Sequence, residues 1–83
     1  MLYPLMLSEK NKMKKRSVII AGRHSTSITL ETEFMDELID IAKQKQKTIN
    51  DLVTEIDNNR HTNNLSSAIR VYILNYIKKQ NND

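Results

Sequence analysis

The chain has 83 residues, which makes one domain that buries only about 60–65% of its unfolded surface as a monomer. It has no cysteine, which excludes disulfides and thiolate metal sites and suits a reducing compartment. The net charge of +3 conceals an asymmetry. Residues 1–30 carry six basic residues against Glu9 alone, whereas residues 31–83 carry seven against nine acidic ones. Such a basic segment suits a polyanionic partner, and a solubilising tail is the plain alternative. His24 and His61 lack ligand spacing, so neither a metal nor another cofactor is expected.

Residues 1–16 are expected to form a flexible basic tail. Its start, Met1-Leu2-Tyr3-Pro4-Leu5-Met6-Leu7, is apolar but short and has no positively charged front, so it does not read as a signal peptide. No segment is long enough to span a bilayer, and a cytoplasmic, nucleoid-associated protein is expected. Met13, directly before Lys14-Lys15-Arg16, is an equally good translation start, which would make residues 1–12 an extension.

Ser17-Val18-Ile19-Ile20-Ala21 is β-prone, and Gly22, the single glycine, punctuates it. It reads equally as a separate strand or as a continuation of the next one, bent at Gly22. Residues 25–30 then alternate: Thr26, Ile28 and Leu30 share one face, and Ser25, Ser27 and Thr29 the other. A lone strand cannot satisfy its own backbone groups, so a second copy of the chain is the expected partner. A two-stranded ribbon with a hydroxyl face fits the DNA major groove.

From Thr32 the period becomes helical. Phe34, Met35, Leu38, Ile41 and Ala42 form one apolar stripe, which ends before Gln44–Lys47. Thr48-Ile49-Asn50-Asp51 reads as a capping box opening a second helix through Leu52, Val53 and Ile56. Residues 57–63 are polar and read as a loop. Asn64 caps a third helix over about residues 64–79, with the stripe Leu65, Ala68, Ile69, Tyr72, Ile73, Tyr76 and Ile77. Residues 80–83 should fray.

The strings RSVIIAGRHSTSITLETEF, TINDLVTEID and NLSSAIRVYIL resemble the ribbon-helix-helix family of bacterial DNA-binding proteins, in a form with an added C-terminal helix. The resemblance covers residues 16–79. It implies a mainly α fold with one β-strand per chain and an intertwined homodimer sharing a two-stranded antiparallel ribbon. The domain itself would span residues 17–79. Base contacts would come from Ser25, Ser27 and Thr29, joined by Arg23 if the strand extends that far. Phosphates would meet Thr48, Ile49 and Asn50 at the second helix start, and Lys14, Lys15 and Arg16 in the tail. Ile28, Leu30, Phe34, Leu38, Ile41, Leu52 and Ile56 would form the dimer core.

Two features depart from the family pattern. The central readers are short hydroxyls rather than the Arg, Lys, Asn or Gln of many members, so direct readout should be weak. The usual glycine between the first two helices is replaced by Gln46-Lys47, so a longer or looser turn is expected there.

The implied function is a homodimeric regulator of transcription on double-stranded DNA, with repression the expected sense and higher-order assembly on DNA allowed. The alternative is an antitoxin or adaptor whose third helix docks on a protein. An enzyme is not expected. There is no glycine-rich phosphate loop and no nucleophile-base pairing, and Ser66-Ser67 read as first-turn helix residues.

Overall fold

The computed structural model describes residues 12–81. The chain runs β1 (Met13–Ile20), β2 (His24–Glu31), α1 (Thr32–Gln44), α2 (Ile49–Asn59) and α3 (Leu65–Asn81). Each chain therefore has two strands, not one. They pair antiparallel along their whole length, from Met13 opposite Glu31 to Ile20 opposite His24. The premise that the second strand must come from another copy does not hold.

The reversal between the strands explains why. Arg23 N–H donates to the Ile20 carbonyl at 3.2 Å, and the two residues inside that turn, Ala21 and Gly22, have φ of 55° and 73°. Two successive positive φ values give the mirror-image turn whose twist matches that of paired strands. An Asn-Gly or Gly-Gly pair would announce such a turn, and Ala-Gly does not. Met13–Arg16, expected in the tail, form the first half of β1. The ladder reaches one residue further, where the Lys12 carbonyl accepts both the Thr32 N–H and the Thr32 hydroxyl at 3.1 Å. The rest of the expected tail, residues 1–11, and the last two residues of the expected frayed end, 82–83, lie outside the described residues.

One face of the hairpin closes the core. Val18, Ile28 and Leu30 are buried against Met35, Leu38, Ile41 and Ala42 of α1, Leu52, Val53 and Ile56 of α2, and Ala68, Ile69 and Ile73 of α3. β1 lies mainly on α2, while β2 touches α1 and α3. Of the residues expected in a dimer core, Ile28, Leu30, Leu38, Ile41, Leu52 and Ile56 are buried within the single chain. Phe34 is only half-buried, because Met35 stands in phase with Leu38 and Ala42 and takes the inner position.

The helix ends are set locally. Gln46 adopts φ 56°, Gln46 N–H donates to Lys43 C=O at 3.1 Å, and Lys47 N–H donates to Ala42 C=O at 2.9 Å. This is the paired bonding of a Schellman stop, with glutamine where glycine usually sits. The turn after α1 is thus tight, not loose. Thr48 Oγ1 accepts the Asp51 N–H at 3.0 Å and starts α2, and Asn64 Oδ1 accepts the Ser67 N–H at 3.0 Å at the start of α3. α3 continues past Lys79 to Asn81, because its last turns are held to the end of α1. The Tyr76 hydroxyl and the Gln80 amide both donate to Gln44 Oε1, at 3.0 and 3.4 Å.

Partly exposed ion pairs link the elements. Arg70 Nε donates to Glu31 Oε1 at 2.8 Å, joining α3 to the end of β2. That contact, with a backbone hydrogen bond, holds the Glu31 carboxyl below the usual carboxylate range. Glu55 is also held low, by Lys47 first and then Lys45, against an opposing effect of burial. Lys45 also reaches the Tyr72 hydroxyl at 2.9 Å, so α1, α2 and α3 meet at one polar junction.

Ala21→Gly and Gln46→Gly should each stabilise the fold, by about 0.5–1 kcal/mol, since a side chain at positive φ costs more than glycine's extra chain entropy. Lys43→Gly, at an exposed position of α1 with ordinary helical φ, should instead cost about 1 kcal/mol. Urea melts of the three variants test this; destabilisation by all three would contradict the left-handed geometry. Because Glu31 has a lowered folded pKa, its contribution is fully present above the ordinary carboxylate pKa and is lost as pH falls through the lowered value. Arg70→Gln should therefore reduce stability at neutral pH and lose that difference in strong acid. An equal deficit at every pH would show that Arg70 acts through packing alone.

Candidate nucleic-acid interface

The face of the hairpin turned away from the helices is the candidate site. The Ile19 N–H donates to Asn50 Oδ1 and the Ala21 N–H to Thr54 Oγ1, each at 3.0 Å. Both donors point away from β2. Since backbone direction alternates along a strand, the odd-numbered residues of β1 and their partners on β2 are the pairs that exchange no hydrogen bonds. Besides the end pair Met13–Glu31, these are Lys15–Thr29, Ser17–Ser27 and Ile19–Ser25. Side chains in such pairs share one face and approach closely. All six are exposed.

The expected readers Ser25, Ser27 and Thr29 thus lie side by side on this face, joined by a β1 row of Lys15, Ser17 and Ile19. Ser17 and Ile19 are additions that sequence reading missed. The β-prone run Ser17–Ala21 signalled a strand, but Val18, Ile19 and Ile20 are apolar in succession, so its phase could not be read from alternation. Arg23 falls in the turn rather than in strand phase and stands exposed at the hairpin tip.

The expected phosphate contacts divide. Lys15 is on the outward face. Lys14 is in the inward phase, with Nζ 3.3 Å from Asp36 on α1, and Arg16 has the same phase opposite Ile28 but is exposed. At the start of α2, Thr48 and Asn50 are exposed, while Ile49 packs partly against the core. Asn50 Oδ1 is engaged by the strand, and Thr48 Oγ1 by Asp51. The backbone N–H groups of Ile49 and Asn50 belong to the first turn and have no acceptor within the helix. The bonds from Asn50 and Thr54 place this helix start beside the outer edge of β1. An exposed ribbon face and a helix N-terminus therefore lie together, with Lys12, Lys14, Lys15, Arg16 and Arg23 exposed around them.

Other site types have less behind them. Among the described residues, no three of His, Cys, Asp and Glu gather as a metal site, and no helix is long and apolar enough to cross a membrane. A groove of about 350 Å³ lies between α2 and α3, lined by residues including Ile56, Ala68, Val71 and Tyr72.

The family model described as a ribbon-helix-helix domain matches residues 13–77, from the first residue of β1 into the last turns of α3. No curated protein and no solved structure matches the chain. With hairpin, helices and turns inside the matched span, the chain belongs to the ribbon-helix-helix domain family, which generally binds DNA in transcription regulators or antitoxins.

Proposed function

We propose that the protein is a sequence-selective DNA-binding regulator of transcription, acting as a repressor by occupying its site. The hairpin β1–β2 enters the major groove with its outward face against the base edges. The observation that carries this reading is that face: Ser17, Ser25, Ser27 and Thr29 with Lys15 and Ile19, all exposed, with no helix covering them. Two strands about 4.8 Å apart fit a groove about 12 Å wide. The free N–H groups of Ile49 and Asn50 and the exposed cations then meet flanking phosphates.

A homodimer, with a ribbon intertwined from two copies, was expected when one strand per chain was expected. With both strands in one chain, the outer edge of β2 is the place left for strand pairing. The N–H and C=O groups of Ser25, Ser27 and Thr29 point outward there and have no partner among the described residues. Pairing of β2 with its copy gives a four-stranded sheet about 14 Å between outer strands, wider than the groove. On this reading the edge stays open when the ribbon is seated on DNA, and a second copy binds alongside.

The adaptor alternative has its own observation. α3 buries Ala68, Ile69 and Ile73 but leaves Val71 and Leu74 more than half exposed, at 56% and 52%. That row is a docking face for a protein partner. Val71→Asp together with Leu74→Asp should abolish such docking and leave DNA affinity unchanged.

Affinity for duplex DNA should fall by orders of magnitude between roughly 50 and 200 mM salt if six or more phosphates are engaged. Lys14→Gln with Arg16→Gln should weaken binding equally on preferred and scrambled duplexes and flatten the salt slope. Ser27→Ala with Thr29→Val should narrow the ratio between the two duplexes. Titrations at two salt concentrations measure both effects, and equal losses from both pairs of changes would mean that the hairpin does not read sequence. Melting should be independent of protein concentration, as expected of a core completed by one chain. A melting temperature that climbs with concentration would restore the intertwined dimer.

A further inference from the structure

We infer that the groove between α2 and α3, with the outward row of α3 beside it, is a docking site for an amphipathic helix flanked by acidic side chains. This rests on the adaptor reading above and gives its partner a chemistry. Every exposed residue of α1 and α2 is polar. α3 differs: Val71, Leu74 and Ile77 are exposed, although Ala68, Ile69 and Ile73 already supply its buried face. Single exposed apolar residues carry no meaning, but these follow one another turn by turn and adjoin a concavity. Val71 belongs to both, since it lines the groove of about 350 Å³ together with Ile56, Ala68 and Tyr72. An apolar row beside an apolar groove is the form that receives a helix with anchors at i, i+3, i+4 and i+7.

Charge decides what flanks those anchors. α3 holds Arg70, Lys78 and Lys79 and no acidic residue. By helical spacing Lys78 continues the row of Val71 and Leu74, and Lys79 continues that of Tyr72 and Asn75 on the groove wall. Arg60 and His61 line the groove where α2 passes into the loop. The acids nearby already have partners: Glu55 has Lys45 and Lys47, Asp57 has Arg60, and Glu31 has Arg70. No acid among the described residues pairs with Lys78 or Lys79. The surplus is therefore basic, which an acidic flank complements and a basic one opposes. A second copy of the chain is the poorer occupant. Its α3 would bring the same basic residues and no acid, and its acidic helix α1 uses its apolar stripe in its own core.

Two synthetic amphipathic helices test this against the full chain by fluorescence anisotropy. One has leucine anchors with glutamate flanks, and the other has lysine in place of each glutamate. The glutamate peptide should bind more tightly than the lysine peptide by about tenfold at low salt, as two or three partly exposed ion pairs allow. Lys78→Glu with Lys79→Glu should remove that preference. Asn75→Trp, at an exposed lining position, should obstruct the groove and weaken the glutamate peptide, with an unchanged melting temperature showing that the fold is kept. Equal affinity for the two peptides would overturn the acidic chemistry and leave the adaptor reading standing. Binding of neither would remove that reading as well. Two further results would assign the face to another occupant and overturn the inference. One is phosphatidylglycerol vesicles bound in preference to the glutamate peptide. The other is a homodimer that Val71→Asp with Leu74→Asp dissociates in sedimentation.

Discussion

The register between β1 and β2 is the constraint on which the rest of the molecule depends. It puts Val18 opposite Thr26 and Arg16 opposite Ile28, so Val18, Ile28 and Leu30 all face the helices. A slip of one residue on β1 would send Val18 to solvent and bring Ser17 and Ile19 inward. The register is held at both ends. The turn at Ala21–Gly22 fixes one, and the bonds from Thr32 to the Lys12 carbonyl fix the other, at the first turn of α1. Burial of three large apolar side chains, worth about 1.5–3 kcal/mol each relative to exposure, opposes any slip.

From that register the division of labour among the helices follows. β2 leads directly into α1 and packs on it and on α3, whereas β1 has only minor contact with α1. It lies over α2 instead, and the first two turns of α2 supply acceptors for the outer edge of β1 through Asn50 and Thr54. An edge strand with unpaired donors is an aggregation hazard, and side-chain acceptors on a neighbouring helix reduce it. α3 does the corresponding work below β2, where Ile69 and Ile73 close the core and Arg70 binds Glu31. Ile28, Leu30, Leu38, Ile41, Leu52 and Ile56, expected in a dimer core, are thereby buried within one chain.

The parts of this fold legible in the sequence were those with strong periodicity. The three helices, the caps Thr48 and Asn64, and the inward phase of Ile28 and Leu30 follow from apolar spacing and cap chemistry. The hairpin was not legible, because its turn uses alanine at a positive φ where asparagine or glycine carries the signal. The tight stop after α1 was hidden the same way by Gln46. In both cases tertiary packing overrides a local preference that residue type alone would have denied. Phe34 illustrates a different limit. Two adjacent apolar residues on a helix compete for one inward position, and only packing decides between them.

The outward row of β2 carries short hydroxyls, Ser25, Ser27 and Thr29. On the proposed reading they face the bases, and because a hydroxyl both donates and accepts, it accommodates several base edges. Affinity must then come from elsewhere, and the exposed cations along β1 and at the hairpin tip are placed to supply it through phosphates. Such affinity is sensitive to salt and indifferent to sequence. Selectivity in this arrangement depends on few groups, so the shape and deformability of the DNA are left to contribute a large share of it.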